Sequence, residues 1–439
     1  MTFDATSNRF AGLDPRIRAA RTANAGLTLL GADGAPLANT DVVVAQRDHA
    51  FKFGNIGFEF IPLANGELEP GREPGPTGPF ETDPSRWAPE FAQHLADLWL
   101  DLHNFATLPF YWGRFEPERG KPDTQRILTA ARWFAERGVP IKGHPLVWHT
   151  VPAQWLLDLD VEEVLQVQLE RIHRDVTGFA GLIDMWDVIN EVVIMPVFDK
   201  EDNGITRLCR HLGRIPLVRE VFAAAREANP NGTFLLNDFD LSTAYECLLE
   251  GLLEAGVQID VLGLQSHMHQ GYWGEEKTEA IIERFARYGL PMHFTETTLV
   301  SGHLMPPDIE DLNDYQIPDW PSTPEGEARQ ADDLVRHLKV LLAAPGVEAF
   351  TYWGLADRGW LGAPGGLVRE DGTPKPSYEA MHRLVKGEWW LPATTLRTDD
   401  AGRLEFAGFL GEYDVTVAGR TAALTLDTPG ASDGVLTLS

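Results

Sequence analysis

The sequence predicts a (β/α)8 TIM barrel with a small accessory β module formed from the N- and C-terminal segments. Short apolar segments alternate with segments of helical period through the middle of the 439-residue chain, which is the order of a parallel barrel. Both ends instead contain strand-like stretches separated by turn-forming residues. A doubly wound open sheet is the alternative. It is disfavoured because no glycine-rich phosphate-binding loop follows an early strand.

The predicted domain boundaries follow these changes of pattern. We predict an N-terminal β segment over residues 1–48, the barrel over 49–388 and a C-terminal β module over 389–439, with the two terminal segments packed together. The strand-like stretches of the termini are 27–30, 41–45, 404–406, 413–417 and 422–426. The expected barrel strands are 51–54, 104–110, 140–144, 185–190, 233–237, 261–265, 292–296 and 349–353. Helices are expected, among others, at 124–137, 161–177, 208–228, 279–288 and 326–343.

Two connections of the predicted barrel are unusually long. Ile61–Trp87 is rich in Pro, Gly and Glu, and Val300–Pro324 contains five prolines. Loops of this length usually serve as lids or binding loops. Both leave the C-terminal ends of predicted strands, so we expect them to overhang the face where barrel enzymes place their active sites.

The composition is globular and strongly acidic. The chain is 44% hydrophobic, and 37 Lys and Arg against 65 Asp and Glu give a net charge of −28. Such a surface argues against nucleic acid or an anionic membrane as a partner.

No signal-peptide pattern is visible, so we expect a cytoplasmic protein, or a secreted one if a leader has been removed. Cys209 and Cys247 allow one disulfide at most, and we expect neither a metal nor another cofactor.

Polar and aromatic residues stand at the C-terminal ends of six predicted barrel strands. A structural interpretation would allow an occasional cap or turn residue there, but six such ends in one ring indicate a functional site. These ends carry His144 with Trp148 and His149, Asn190-Glu191, Asn237-Asp238, Gln265-Ser266-His267, Glu296, and Trp353.

Two of these residues are glutamates, Glu191 and Glu296, and each follows an apolar run. Two facing carboxyl groups are what glycoside hydrolysis needs, one to protonate the leaving oxygen and one to attack or to activate water. A separation of about 5–5.5 Å predicts retention of configuration and about 6.5–9.5 Å predicts inversion. Flat indoles and polar side chains around them would contact the sugar; the candidates are His144, Trp148, Asn190, Gln265, His267, Trp353 and Trp360. His149 and His269 are more typical of structural histidines.

These residues belong to motifs that resemble glycoside hydrolase family 10, the retaining β-xylanase family. The motifs occur in the family's order over most of the chain. They are Phe51–Gly54, Glu116-Pro-Glu-Arg-Gly120, Gly143-His-Pro-Leu-Val-Trp-His149, Trp186-Asp-Val-Ile-Asn-Glu191, Asn237-Asp-Phe-Asp240, Gly263-Leu-Gln-Ser-His267, Phe294-Thr-Glu296, Trp353-Gly354 with Asp357 and Trp360, and Gly372–Tyr378.

The resemblance implies a role for each matched residue. Glu191 would be the general acid/base and Glu296 the nucleophile of a retaining mechanism. Asn190 would bind the 2-hydroxyl of the sugar under attack, and His267 or a neighbour would orient Glu296. The remaining matched residues would line the same subsite; they are His144, Trp148, Gln265, Trp353 and Trp360.

The chain departs from the family where the next sugar on the glycone side would bind. Aligned on Trp112, the family's E-N-x-x-K-W is replaced by Thr107, Leu108 and Tyr111. The polar side chains that bind this sugar in the family are therefore replaced by an apolar and phenolic surface. The family's Asp two residues after the nucleophile is Thr298 here. These changes spare the catalytic pair but favour a short glycoside, or exo action, over internal cleavage of long xylan.

Two other functions stay open at the level of sequence. A catalytically inactive, carbohydrate-binding barrel would use the same rim, although retention of both glutamates argues against it. A barrel metalloenzyme could use His144, His149, His267 and Asp238, but their spacing matches no metal-binding motif.

Overall fold

The computed structural model describes residues 10–71 and 84–438. Residues 1–9 of the predicted N-terminal segment and residues 72–83 of the first long connection lie outside that part. The strands, in chain order, are β1 (Thr22–Gly31), β2 (Asp41–His49), β3 (Lys52–Ile56), β4 (Phe105–Pro109), β5 (Ile141–His144), β6 (Met185–Asn190), β7 (Thr233–Asp238), β8 (Val261–Met268), β9 (Met292–Leu299), β10 (Val347–Tyr352), β11 (Thr394–Arg397), β12 (Arg403–Phe409), β13 (Gly411–Val417), β14 (Arg420–Leu426) and β15 (Gly430–Leu438).

Helices separate most of the barrel strands, and short 3-10 turns occur beside them, including Phe58–Phe60 after β3. The α-helices are α1 (Pro15–Arg21), α2 (Ile61–Ala64), α3 (Pro89–Leu102), α4 (Trp112–Phe115), α5 (Thr124–Ala135), α6 (Val161–Phe179), α7 (Gly204–Leu212), α8 (Arg214–Ala228), α9 (Thr243–Glu254), α10 (Glu275–Ala286), α11 (Pro324–Ala343) and α12 (Pro376–His382).

Eight strands, β3 to β10, close into a barrel in the order β10-β3-β4-β5-β6-β7-β8-β9. Successive strands from β3 to β9 pair in parallel. Their side chains are buried almost throughout, including all of β9, because a parallel barrel is filled on its inside and covered by helices on its outside. The predicted fold class is confirmed, including the additional sheets built from the termini.

One predicted helix is wrong in extent. The segment 208–228 forms the end of α7 and the whole of α8, separated at Gly213 with φ of 85°. Pro216 explains the break, because proline lacks the N–H of an i to i−4 hydrogen bond and its ring clashes with the preceding turn. By contrast, α6 runs unbroken for 19 residues. It begins with a capping box in which Asp160 and Glu163 bond each other's backbone N–H groups.

The chain divides into two compact units. Of the described residues, 10–52, 328–348 and 374–438 belong to one unit, and 53–71, 84–327 and 349–373 belong to the other. The boundaries predicted from sequence, at 48/49 and 388/389, stay a prediction. In the first unit, sheets of order β12-β1-β15 and β11-β2-β13-β14 share a core that includes Leu29, Val44, Phe406 and Tyr413.

β1, from the N-terminal segment, lies between two strands of the C-terminal segment. It pairs antiparallel with β12 and parallel with β15.

Cys209 is buried and Cys247 is exposed, and both are free thiols. Within residues 10–71 and 84–438, no helix is long and apolar enough to cross a membrane.

Candidate active site

Glu191 follows the last residue of β6 and has a left-handed backbone, with φ of 56°. A non-glycine residue in this region is strained and is held there only by its surroundings. Here the backbone N–H of Glu191 donates to the carbonyl of Asn237 at 2.8 Å. The turn directs the carboxyl group to the barrel mouth, where Trp148 Nε1 donates to Oε2 at 2.7 Å and Gln265 Nε2 donates to Oε1 at 3.0 Å.

The surroundings of Glu191 favour its protonated form. Burial of the carboxyl group and the negative charge of Glu296 raise its pKa to about 8, although the hydrogen bonds from Gln265 and Trp148 oppose the rise. Removal from water disfavours the ionised carboxylate, and a second carboxylate nearby disfavours it further. At neutral pH, Glu191 therefore holds the proton that a general acid needs.

Glu296, on β9, is 4% exposed and has the opposite electrostatic environment. Asn237 Nδ2 donates to its Oε1 at 2.8 Å, and His267 Nε2 lies 3.1 Å from its Oε2. His144 Nε2 is 3.8 Å from Oε1. Burial alone would raise the pKa of Glu296, but His144, His267 and Lys142 outweigh it and hold the pKa below its ordinary value.

A buried ion pair lies next to this site. Lys142 Nζ is 2.6 Å from Asp187 Oδ2, and His144 Nδ1 is 2.7 Å from the same oxygen. Because a carboxylate only accepts hydrogen bonds, Nδ1 of His144 carries a hydrogen and the ring orientation is set. His144 Nε2 is thereby directed towards Glu296 and the barrel mouth.

Three amide side chains connect the two glutamates. Asn237 Nδ2 donates to Asn190 Oδ1 at 2.8 Å as well as to Glu296, and Gln265 Nε2 donates to Asn190 Oδ1 at 3.1 Å as well as to Glu191. Thr295 Oγ1 donates to Asn237 Oδ1 at 2.6 Å. A network in which each member has several partners holds its side chains in one arrangement.

Aromatic rings surround the pair. Trp360 stacks on His267 with ring centroids 5.5 Å apart and an angle of 18° between the planes. The buried Trp353 packs edge-on against His144 at 5.2 Å. Tyr111, just after β4, contacts Trp148 at 5.4 Å and His144 at 5.6 Å. Apolar and aromatic surface with a few fixed polar groups is typical of a small-molecule pocket.

An ion pair joins two segments above the rim. Lys200, after β6, lies 2.7 Å from the carboxylates of both Asp311 and Asp314, which belong to the long connection after β9. Gln270, after β8, donates to the carbonyls of Pro306 and Ile309 in the same connection. The Val300–Pro324 connection therefore arches from β9 past the end of β8 to the segment after β6.

The structure brings all the predicted site residues to one end of the barrel. His149 and His269, interpreted as structural, are buried; His149 packs on Phe198 and His269 on Trp320. Among residues 10–71 and 84–438, no three His, Cys, Asp or Glu side chains are grouped to hold a metal ion. Lys142 and Phe58 were not predicted as site residues. Asn237 was predicted only as a polar strand end, Asp187 only as part of a motif and Tyr111 only as a departure from the family, and none of the three was given a role beside the catalytic pair. For Asp187 and Asn237 a signal existed, because each is a polar residue inside an apolar strand.

The family comparison agrees with this geometry. Residues 110–384 match the model of glycosyl hydrolase family 10, which is more than half of the chain. The chain belongs to glycosyl hydrolase family 10. The predicted family is confirmed, and with it the glycosidase class and the xylanase-like relationship.

The relatives of this family 10 chain are distant. Endo-1,4-beta-xylanase B of Thermotoga neapolitana is 26% identical over 295 residues, 63% of this chain and 78% of that protein. An endo-1,4-beta-xylanase/feruloyl esterase of Xylanibacter ruminicola is 26% identical over 285 residues, and the chain spans only 37% of its length. The solved xylanase 10B of Thermotoga petrophila in complex with xylobiose has a TM-score of 0.59 at 20% identity, covering 77% of this chain and 94% of that one. At that identity the structural match supports the fold.

Proposed function

We propose that the chain is a retaining β-glycoside hydrolase that cleaves a β-xylosidic or related β-glycosidic bond, with Glu191 as general acid/base and Glu296 as nucleophile. The arrangement of the two carboxyl groups carries the proposal: Glu191 accepts from the neutral donors Trp148 and Gln265, whereas Glu296 accepts from Asn237 and faces His267 and His144. In these surroundings the pKa of Glu191 is raised to about 8 and the pKa of Glu296 is held below its ordinary value. Two carboxyl groups whose pKa values differ in this way are the protonated acid and the ionised nucleophile that retaining glycoside hydrolysis requires.

The reaction proceeds by double displacement. The carboxylate of Glu296 forms a bond to the anomeric carbon while the bond from that carbon to the glycosidic oxygen breaks, and Glu191 gives its proton to the departing oxygen. Glu191, now ionised, takes a proton from water as the water oxygen attacks the anomeric carbon. The bond between the anomeric carbon and Glu296 breaks in the same step, and both carboxyl groups return to their initial states.

Neighbouring residues hold the sugar and the pair in place. Asn190, whose Nδ2 lies 3.2 Å from Glu191 Oε1, binds the 2-hydroxyl of the sugar under attack, a contact that strengthens in the transition state. His144, Gln265 and His267 contribute further hydrogen-bonding groups. Trp148, Trp353 and Trp360 provide the ring surfaces; Trp148 also donates to Glu191.

A substrate panel tests the proposal. Aryl β-xyloside, β-glucoside, β-galactoside, xylobioside and cellobioside are incubated with the native protein and with Glu296→Ala, Glu191→Ala and Glu118→Ala. Glu118 is a matched control because it is an exposed glutamate that pairs with the exposed Lys121. We expect turnover by the native protein and Glu118→Ala, none by Glu296→Ala, and retention of anomeric configuration in the first product. Sugar binding without turnover of any glycoside would instead support an inactive, carbohydrate-binding barrel.

A further inference from the structure

The position of Glu191 identifies the side of the mouth where the glycone sugar lies. The general acid stands beside the leaving oxygen, so the sugar under attack extends away from it. In the closed order of strands, β10 is four strands from β6 in a barrel of eight and is therefore opposite Glu191. Side chains at the ends of β10 and its neighbours β3 and β4 consequently border the glycone.

Four rings close that side of the mouth. Phe58, just after β3, lies 5.9 Å from Tyr111 and 5.8 Å from Trp353, measured between ring centroids. His144 completes the circle, 5.6 Å from Tyr111 and 5.2 Å from Trp353. A sugar ring between two side chains needs contact distances of about 3.5–4 Å on each side, or roughly 7–8 Å in total. No gap in this circle is that wide.

The backbone that carries Phe58 and Trp353 is fixed by its neighbours. Asn55, at the end of β3, accepts a hydrogen bond from the backbone N–H of Gly354 at 3.1 Å, and this bond joins the ends of β3 and β10. Glu59, next to Phe58, is 5% exposed and faces the segment after β10, where Gly359 leaves room for its carboxyl group. Phe58 is thus held between fixed neighbours, and moving its ring out of this position would cost packing energy.

Tyr111 adds a polar group, its hydroxyl, to these four rings. Its hydroxyl makes no hydrogen bond to any residue in the described ranges 10–71 and 84–438. Burial first, and then the charges of Glu296 and Glu191, raise the pKa of Tyr111 well above its ordinary value. The phenol is therefore neutral and close to both glutamates, and it can donate to a sugar hydroxyl or accept from one.

We infer that the glycone site of this chain ends after one sugar: Phe58 and Tyr111 form its end wall, and the Tyr111 hydroxyl binds the hydroxyl of that sugar farthest from the scissile bond. The inference rests on the proposed function and deepens it. The substrates are short β-glycosides, from which the enzyme removes a single sugar at the non-reducing end.

Product analysis on an aryl β-disaccharide tests the wall. The native enzyme is expected to release one free sugar and the aryl monoglycoside, followed by the aryl group. Phe58→Ala opens the wall and should raise direct release of the intact disaccharide about tenfold relative to the free sugar. Release of intact disaccharide by the native enzyme would overturn the inference and leave the proposed function standing. Absence of turnover on every glycoside of the panel would overturn both.

A second variant tests the hydroxyl. Tyr111→Phe should lower kcat/KM for the aryl monoglycoside about tenfold, the effect of one well-placed hydrogen bond. It should lose much less on the deoxy sugar that lacks the contacted hydroxyl. Tyr288→Phe, the same change two residues after α10, is the control with native kinetics. Equal kcat/KM for native and Tyr111→Phe enzymes would remove the assigned contact.

Discussion

Glu191 and Glu296 differ in pKa because their neighbours differ. The carboxyl group of Glu191 is buried among amide and indole donors, which are neutral, and the charge that raises its pKa most is the carboxylate of Glu296. Glu296 faces the imidazoles of His144 and His267, with Lys142 behind. The difference in chemistry is therefore set by Lys142, Asp187 and the histidines, which do not need to contact the sugar's reacting atoms.

The pH dependence of kcat/KM follows from these two environments. Glu191 must be protonated, and its pKa is about 8, so activity should fall as pH rises through about 8. As the proposed nucleophile, Glu296 must be ionised, and because His144, His267 and Lys142 hold its pKa below the ordinary value, activity should persist to a pH below the range in which a free glutamate is protonated. The pH profile of an aryl β-glycoside measures both limbs.

The Glu191→Ala variant is the control for that profile. Its loss of activity should be about 10²–10⁴-fold on poor leaving groups and much smaller on good ones, because only poor leaving groups need the proton. The alkaline limb should disappear with the carboxyl group. An unchanged alkaline limb in Glu191→Ala would mean that another group titrates there.

The absence of a side chain at Gly263 is also a site feature. A Cβ on this residue would lie 2.3 Å from Asn237 Oδ1 and 2.9 Å from Asn237 Cβ, so Gly263→Ala must displace Asn237. Because Asn237 connects Asn190 to Glu296, we expect kcat to fall tenfold or more, of the order known for small misplacements in active sites. KM and the melting temperature provide the readout: a large loss of stability with native kcat would assign Gly263 to packing alone.

At the scale of elements, the alternation of apolar and helical segments predicted all eight barrel strands close to where they lie. The strands were predictable because each is buried on both faces and so reads as a continuous apolar run. The division of α7 from α8 was missed because helical periodicity continues across Gly213, and the backbone break depends on Pro216. The catalytic candidates were predictable for a related reason: a glutamate is conspicuous at the end of an apolar strand.

Within the first unit, Arg21 joins α1 and β1 to the end of α11. It is 9% exposed and donates to the carbonyls of Leu342, Ala344 and Val347. Cations are favoured at helix C-termini, and hydrogen bonds to charged groups are among the stronger ones. We expect Arg21→Ala to lower the free energy of unfolding by about 3 kcal/mol.

Denaturant unfolding measures this effect, with Arg18→Ala as the matched control. Arg18 lies on the same short helix but is exposed, so its replacement should change the free energy by no more than about 0.5 kcal/mol. Equal effects of the two substitutions would show that the contribution comes from α1 itself and not from the buried guanidinium.

At the scale of the whole molecule, the site exists only once the barrel is closed. Phe58, Tyr111 and Trp353 come from separate parts of the chain and meet because β3 lies between β4 and β10. No local pattern distinguishes Phe58 from an ordinary core residue, which is why the wall could not be predicted from sequence. The role of Lys142 could not be predicted either, because the sequence does not indicate that a lysine in one strand will pair with Asp187 in the next.

The net charge of −28 acts on every charged substrate that approaches this mouth. Charged surfaces alter association rates over distances of a Debye length, which shrinks from about 30 Å at 0.01 M to about 10 Å at 0.1 M ionic strength. We therefore expect kcat/KM for an aryl β-glycoside with a sulfonated, anionic leaving group to rise severalfold over that range. The neutral aryl glycoside of the same sugar is the control and should change little. A similar salt response of the two substrates would show that salt acts on the enzyme itself and not on the capture of the anionic substrate.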